Sequence, residues 1–270
     1  MKEELVDRII SNPTDRRKFF KRVGATGIGI AAASMLGGSL GIVEAATSSI
    51  TDVDILNFAL NLEYLEAEFY SVAVLGKTLE ELGILTASEV SGPTTGGAMV
   101  NFSETPGVIY IANGLVNDEQ KHVEFLRKAL GSAAVKKPAI SLDALGYGFA
   151  GLDSFLKLSR QFEDVGVSAY LGAAPLIKSK AYLAAAGAIL ATEAQHSGAI
   201  REECVNHGVV SPAVDSLDVP PTKQTPFCVD SNALSIPRTT SQVLNIVYGG
   251  GSCSGGFYPD GMNGAIVCQS

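Results

Sequence analysis

The sequence of 270 residues has three histidines, and two of them follow a glutamate by three positions, in Glu119-Gln120-Lys121-His122 and in Glu193-Ala194-Gln195-His196. With glutamate at about 6% of positions, chance would produce two such spacings in roughly one sequence in a hundred of this histidine content, so the repeat is read as a motif. Positions i and i+3 of an α-helix share a face, so a carboxylate and an imidazole so spaced can reach one cation. Two such helices, with one glutamate from each of two more, would build a carboxylate-bridged two-metal site inside a four-helix bundle. Taken singly, each glutamate reads equally well as a solvated helix residue and each histidine reads better as a hydrogen-bonded core residue; the duplication is what favours the metal. His207 lacks the motif and reads as a helix-end residue.

The two further glutamates come with a repeat of their own. Glu63 is followed seven positions later by Tyr70, and Glu163 seven positions later by Tyr170. Seven residues return to nearly the same helix face. The chain thus reads as two copies of one hairpin, Glu-x6-Tyr and then Glu-x2-His. Four carboxylates and two imidazoles brought into one core could not stay buried and ionised without partners. Two divalent cations would balance the four carboxylates, and oxygen ligands with one nitrogen per ion suit two iron or manganese ions, with zinc as an alternative. The candidate metal ligands are Glu63, Glu119, His122, Glu163, Glu193 and His196. Tyr70 and Tyr170 are candidate ligand-holding or catalytic residues, with ordinary packing as the other reading. Glu66 stands three positions after Glu63, where the second copy has Gly166 three after Glu163. Glu66 is therefore a candidate extra ligand or proton-transfer carboxylate, unless it replaces Glu63 as the ligand. Glu68 lies off the motif face and is expected to be solvated or salt-bridged.

Positioning these residues takes four helices. Thr51 or Asp52 can cap a first helix in which Ile55, Phe58, Leu62, Leu65 and Phe69 recur at helical spacing as far as Gly76. After a Gly/Ser/Thr-rich connection over 77–105, Pro106 opens a second helix with Ile109, Ala112, Leu115, Val116, His122, Val123 and Leu126 on its stripe, and Gly131 ends it. An irregular stretch over 131–152 is long enough to return along the ~36 Å of a helix. A third helix runs from Asp153 or Ser154 to about Ala173, with Phe155, Leu158, Phe162, Val165 and Ala169 buried. The fourth follows Ser179 and ends near His207, with Leu183, Gly187, Leu190, Ala194 and Ser197 as its small-residue buried face. The fold class is all-α: a four-helix bundle over 46–208, with a long crossover between helices two and three.

The two ends of the chain differ from the bundle. Asp15-Arg16-Arg17-Lys18-Phe19-Phe20-Lys21, the uncharged run Val23–Val43 and the small-residue site Val43-Glu44-Ala45 read as a twin-arginine signal over 1–45, with a membrane anchor as the alternative. The expected location is periplasmic, or otherwise exported by that route, with no stable membrane anchor once the signal is removed. The segment carries seven basic and five acidic residues, so its loss takes the net charge from −8 to −10. Such acidity disfavours nucleic acid as a partner. Residues 209–270 read as a loop-rich extension packed on the bundle, with a short helix near Gln242–Val247. All four cysteines, Cys204, Cys228, Cys253 and Cys268, fall in the last quarter of the chain; two disulfides are expected, Cys204–Cys228 with Cys253–Cys268 being the simplest pairing.

The motifs together resemble the ferritin-like superfamily over residues 50–208. Asn61-Leu62-Glu63-Tyr64-Leu65-Glu66-Ala67-Glu68-Phe69-Tyr70, Phe162-Glu163-Asp164-Val165-Gly166 and the glycine-rich tail look especially like bacterial ferritin-like domain proteins and their plant desiccation-related relatives. The resemblance implies Glu63 and Glu163 as terminal ligands, Glu119 and Glu193 as bridges, and His122 and His196 one to each metal. It also implies that Tyr70 holds Glu163 and Tyr170 holds Glu63. Three functions stay open: an oxidoreductase acting on peroxide or dioxygen, an iron-binding or iron-oxidising protein without an organic substrate, and a stress-protection protein without turnover. The expected partners are metal ions and peroxide or dioxygen, with a homodimer as an allowed assembly.

Overall fold

The helix that carries Glu63 is buried on every side. In the computed structural model, which describes residues 50–269, α1 spans Asp52–Leu75, and every residue from Ile55 to Ala73 is buried. A helix enclosed all round needs no polar face, which is why its sequence mixes apolar residues with asparagines and glutamates that find internal partners. Thr51 opens it with a reciprocal capping box: Asp54 N–H donates to Thr51 Oγ1 at 3.2 Å and Thr51 N–H to Asp54 Oδ2 at 2.9 Å. Gly76, at φ +66°, closes it in the left-handed conformation that glycine adopts without strain.

Helix α2 spans Pro106–Leu130, α3 Leu152–Ala173 and α4 Lys180–Asn206. The chief packings are α1 on α2 and α3 on α4, with α1 on α3 and α2 on α4 closing the four-helix bundle. The crossover between α2 and α3 is long. Its start fastens onto α1, where Asn57 Nδ2 donates to Ala133 O and Tyr64 Oη to Val135 O. Residues 77–105, expected to be a connection, and the crossover, expected to be irregular, are clipped together by two-residue parallel strands β1 (Thr94–Thr95) and β2 (Ile140–Ser141). Beneath this clip Lys137 is fully buried, donating to Gly92 O and Thr94 Oγ1 with Glu68 Oε1 at 3.7 Å. Glu68 is therefore not solvated. It takes the salt-bridged alternative, and also accepts from Leu79 N–H.

The buried face of α4 differs from the one expected. Ala186, Ile189, Glu193, His196, Ile200 and Cys204 point inward, whereas Leu183 is exposed and Gly187 has open space where a side chain would be. Ser197 is the one residue of the expected face that is buried. Alanines recur all around this helix, so hydrophobic periodicity cannot choose its face; the buried Glu193 and His196 mark it.

Beyond α4 the chain is loop-rich, with α5 at Thr240–Val247. It latches onto α1 at Asn61, whose carbonyl accepts from Tyr258 Oη and whose side chain pairs twice with the Asn263 backbone. Cys253 and Cys268 form a disulfide. The expected Cys204–Cys228 bond is absent and both thiols are free. Cys204 is buried and turned to the α3 carbonyl of Leu156, while Cys228 lies with Asp164 and Asp218, so the two sulfurs face different partners. Among the described residues, no helix is long and apolar enough to cross a membrane. The twin-arginine segment and the apolar run of residues 1–45 lie outside the described residues.

Candidate metal centre

Each of the four bundle helices contributes to one buried cluster. Glu63 comes from α1, Glu119 and His122 from α2, Glu163 from α3, and Glu193 and His196 from α4; all four carboxylates are fully buried. The cluster resolves into two overlapping groups. Glu63, Glu119, His122 and Glu193 form one, and Glu119, Glu163, Glu193 and His196 the other, each with its ligand atoms within 4.8 Å of one another. Glu119 and Glu193 belong to both. His122 Nδ1 lies 3.1 Å from Glu63 Oε2, 3.1 Å from Glu119 Oε2 and 3.2 Å from Glu193 Oε1. His196 Nδ1 lies 2.9 Å from Glu119 Oε1 and 3.4 Å from Glu163 Oε2.

Short distances do not make all of these contacts hydrogen bonds. Glu119 Oε1, Glu163 Oε2, both oxygens of Glu193 and Nδ1 of His196 are buried and lack a partner of hydrogen-bond geometry. Buried polar atoms are seldom left so. Here several lone pairs converge on a common region instead of each meeting a donor. That is the disposition cation ligands need, and one imidazole nitrogen with three carboxylates per group fits a divalent ion that prefers hard donors.

Without cations this concentration of charge must be met by protons. Burial, then His122 and His196, then the surrounding carboxylates set the Glu119 carboxyl, pushed up to about 7. Glu193 is driven well above the carboxylate range by burial and by the charge of Glu119. Glu63 goes the other way: burial raises it, but the charge and hydrogen bond of His122 prevail and leave it lowered. Burial would lower His196, yet the surrounding Glu119 and Glu163 push it up to about 12. The metal-free cluster is thus a proton store whose charges a metal would replace.

Tyrosines fix the two carboxylates that belong to single groups. Tyr70 Oη donates to Glu163 Oε1 and Tyr170 Oη to Glu63 Oε1, each bond crossing from one half of the bundle to the other. Asp118 Oδ2, 3.2 Å from His196 Nε2, turns the opposite nitrogen inward. Nothing in the sequence marked Asp118, because an acidic residue next to a motif glutamate looks like any other solvated side chain. Asp164 stands out in the sequence only within the Phe162–Gly166 string. It accepts from Ser197 Oγ at 2.6 Å and from Arg201 Nη1 at 2.6 Å, tying α3 to α4 one residue beyond Glu163 and His196. Gln120 Nε2 donates to Ser71 Oγ at 3.0 Å, which ties α1 to α2 in the same register beside Tyr70 and Glu119.

Glu66 is buried at the edge of the cluster but belongs to neither four-residue group. Burial and the charges of Glu193 and Glu119 hold its carboxyl well above the usual range. It occupies the space beside Gly166, where an added Cβ would stand 2.8 Å from Glu193 Oε2 and 3.1 Å from Glu66 Oε1. Between the two helix-one candidates, Glu63 is the one that joins the cluster of ligand atoms. His207 caps the end of α4, with Glu203 at 3.3 Å and far from these groups in sequence and role. A third acidic set, Asp164, Asp218 and Cys228, is already balanced by Arg160 and Arg201, at 2.6 Å from Asp218 and Asp164 respectively.

Residues 51–205 match the family described as "Ferritin-like domain". The chain belongs to this ferritin-like family. Its similarity extends to a "Ferritin-like catalase Nec2" of Nesocodon mauritianus, 24% identical over 269 residues that span 80% of this chain and 85% of that protein. A "Desiccation-related protein PCC13-62" of Craterostigma plantagineum is 29% identical over 169 residues, 56% of this chain and 52% of that protein. The family match spans the four bundle helices and stops before the extension that carries α5, whereas the similarity to the catalase-named relative continues through most of the chain.

Proposed function

We propose that this ferritin-like protein holds two ions of iron or manganese and consumes peroxide, with dioxygen as the alternative oxidant. The observation that carries the reading is the sharing of Glu119 and Glu193 between two otherwise separate ligand groups. Glu63 and His122 would complete one ion's ligands and Glu163 and His196 the other's. When bound, such a pair supplies two electrons at one centre, which matches the two-electron chemistry of peroxide. The printed name of the catalase-like relative supports peroxide as the substrate.

The chain's own residues supply the surroundings. Tyr170 and Tyr70 keep Glu63 and Glu163 from rotating, and their own hydroxyl protons are held far more firmly than a free tyrosine's because burial and the carboxylate charges oppose ionisation. Asp118 orients His196. Glu66 keeps a proton beside Glu193, where a small molecule at the centre could take it up. The enclosed bundle limits water to what fits between these side chains.

The test is oxygen evolution from hydrogen peroxide by chain loaded with manganese or iron, beside a Glu193→Gln variant. Turnover in the loaded wild type and its loss in the variant would support the proposal; loaded, folded wild type without turnover would refute it. The desiccation-related relative favours a second reading, in which the centre binds iron and protects without turnover. Export through a twin-arginine signal over residues 1–45 belongs to the same proposal, and the Cys253–Cys268 disulfide suits an oxidising compartment.

A further inference from the structure

The C-terminal extension makes more than a cover for α1. A cavity of about 350 Å³ opens between α3, the crossover and the extension, walled by Tyr147 and Gln161, by Phe162 and Val165 of α3, and by Ile246 and Val247 of α5. Its lining is mainly apolar, with Gln161 fixed by Tyr147 Oη at 2.7 Å and by the carbonyl of Pro212 at 3.0 Å. A second void of about 10 Å³ lies deeper, lined by Leu62, Leu65, Glu66 and Gly166. Phe162, Val165 and Val247 line both. Glu66 lines the small void, and beside Gly166, which also lines it, stands the unpartnered Oε2 of Glu193.

We propose that this succession is a size-selective access route, in which the extension forms the mouth and Val247, with Phe162 and Val165, forms the constriction leading to Glu66 and the metal centre. The inference rests on the metal-centre reading above and adds what can reach it. A void of ~10 Å³ holds about one water-sized molecule. A constriction this narrow favours molecules of one or two heavy atoms, such as hydrogen peroxide or dioxygen, over organic hydroperoxides. Its apolar walls favour neutral molecules, since an ion would shed its hydration without compensation. Gly166 is required at the inner end because any side chain there would press on Glu193 and Glu66. The extension lies outside the family match over 51–205, so its share of the mouth, Val247 included, is added to walls that the matched segment supplies.

The experiment measures entry without requiring turnover. Full chain is loaded with ferrous iron, its metal content measured, and mixed with nitric oxide, a neutral probe whose binding to iron is followed optically. Val247→Phe should slow binding at least about tenfold by filling the constriction, at unchanged iron content and helicity. A rate within about twofold of wild type in folded, loaded Val247→Phe would overturn the route, because overpacking at the constriction would then be without effect. If that variant does not fold, Val247→Ala carries the test. It should speed single-turnover oxidation of the ferrous centre by tert-butyl hydroperoxide relative to hydrogen peroxide, and an unchanged ratio would overturn the route. A wild type that takes up iron and nitric oxide while neither substitution matters leaves the metal centre intact and removes only the route. A wild type that takes up neither iron nor manganese removes both.

Discussion

Removing metal from this cluster should invert the usual dependence of stability on pH. In the metal-free fold the Glu119 carboxyl is pushed up to about 7 from an ordinary 4.5, burial being the largest cause. The folded state then keeps a proton that the unfolded chain releases, so its contribution is full below about pH 4.5 and is lost as pH rises through about 7. A displacement of this size corresponds to roughly 3 kcal/mol. The His196 imidazole, pushed up to about 12 against its burial by Glu119 and Glu163, has the same sign over a higher range and keeps the slope negative beyond pH 7. Groups lowered in the fold, such as Asp215 beside Arg238, gain stability only near the acid end and are fully ionised by pH 5.5. Of the Glu119 contribution about 2 kcal/mol is lost between pH 5.5 and pH 8, so at ~2–4 °C per kcal/mol for a domain of this size metal-free protein should melt at least about 4–8 °C lower at pH 8. Loaded protein should show little of this fall, since cations take the place of the protons and bind more tightly as pH rises. Scanning calorimetry of chelator-treated and reloaded protein across that range measures both slopes. A metal-free form that melts higher at pH 8, or a gap between the two forms that does not widen with pH, would refute the assignment of buried protons. Glu119→Gln should flatten the metal-free slope.

Other consequences follow from single contacts. Tyr170→Phe removes the donor to Glu63 and should weaken metal affinity about tenfold in the Glu63–His122 half, whereas Tyr70→Phe should do so in the other half; competition with a chelator distinguishes them. Glu66→Gln should retain full metal content and lower peroxide turnover, because Glu66 adjoins the cluster without joining either ligand group; unchanged turnover would remove its proton-holding role. Reduction of Cys253–Cys268, which closes a span of 15 residues, should cost about 3 kcal/mol in denaturant titrations. Thiol titration of the unfolded, unreduced chain should find Cys204 and Cys228 free.

The bundle was legible in the sequence because its signals repeat. Caps at Thr51 and Ser179, Pro106 at a first turn and glycines at 76 and 131 bound the helices where local backbone chemistry demands. Two copies of Glu-x6-Tyr and Glu-x2-His give the six cluster residues and the two tyrosines that meet them. What escaped depends on contacts between distant segments. The inward face of α4 is hidden by alanines on every side, and the burial of Glu68 needs Lys137 from a crossover that looks featureless. Asp118 acts through the ring of a residue on another helix. The expected Cys204–Cys228 bond failed because nearness in sequence says nothing about which way two thiols point. Glu66 was identified as the asymmetric position, but which of Glu63 and Glu66 enters the cluster was decided only by the packing of α1 against α3.

The most direct test is a crystal structure of the loaded protein with anomalous scattering at the edge of the bound metal. The account predicts two peaks per chain, about 3.5–4 Å apart, one beside Glu63 and His122, the other beside Glu163 and His196, with Glu119 and Glu193 touching both. A single peak, or two peaks that share neither Glu119 nor Glu193, would contradict it.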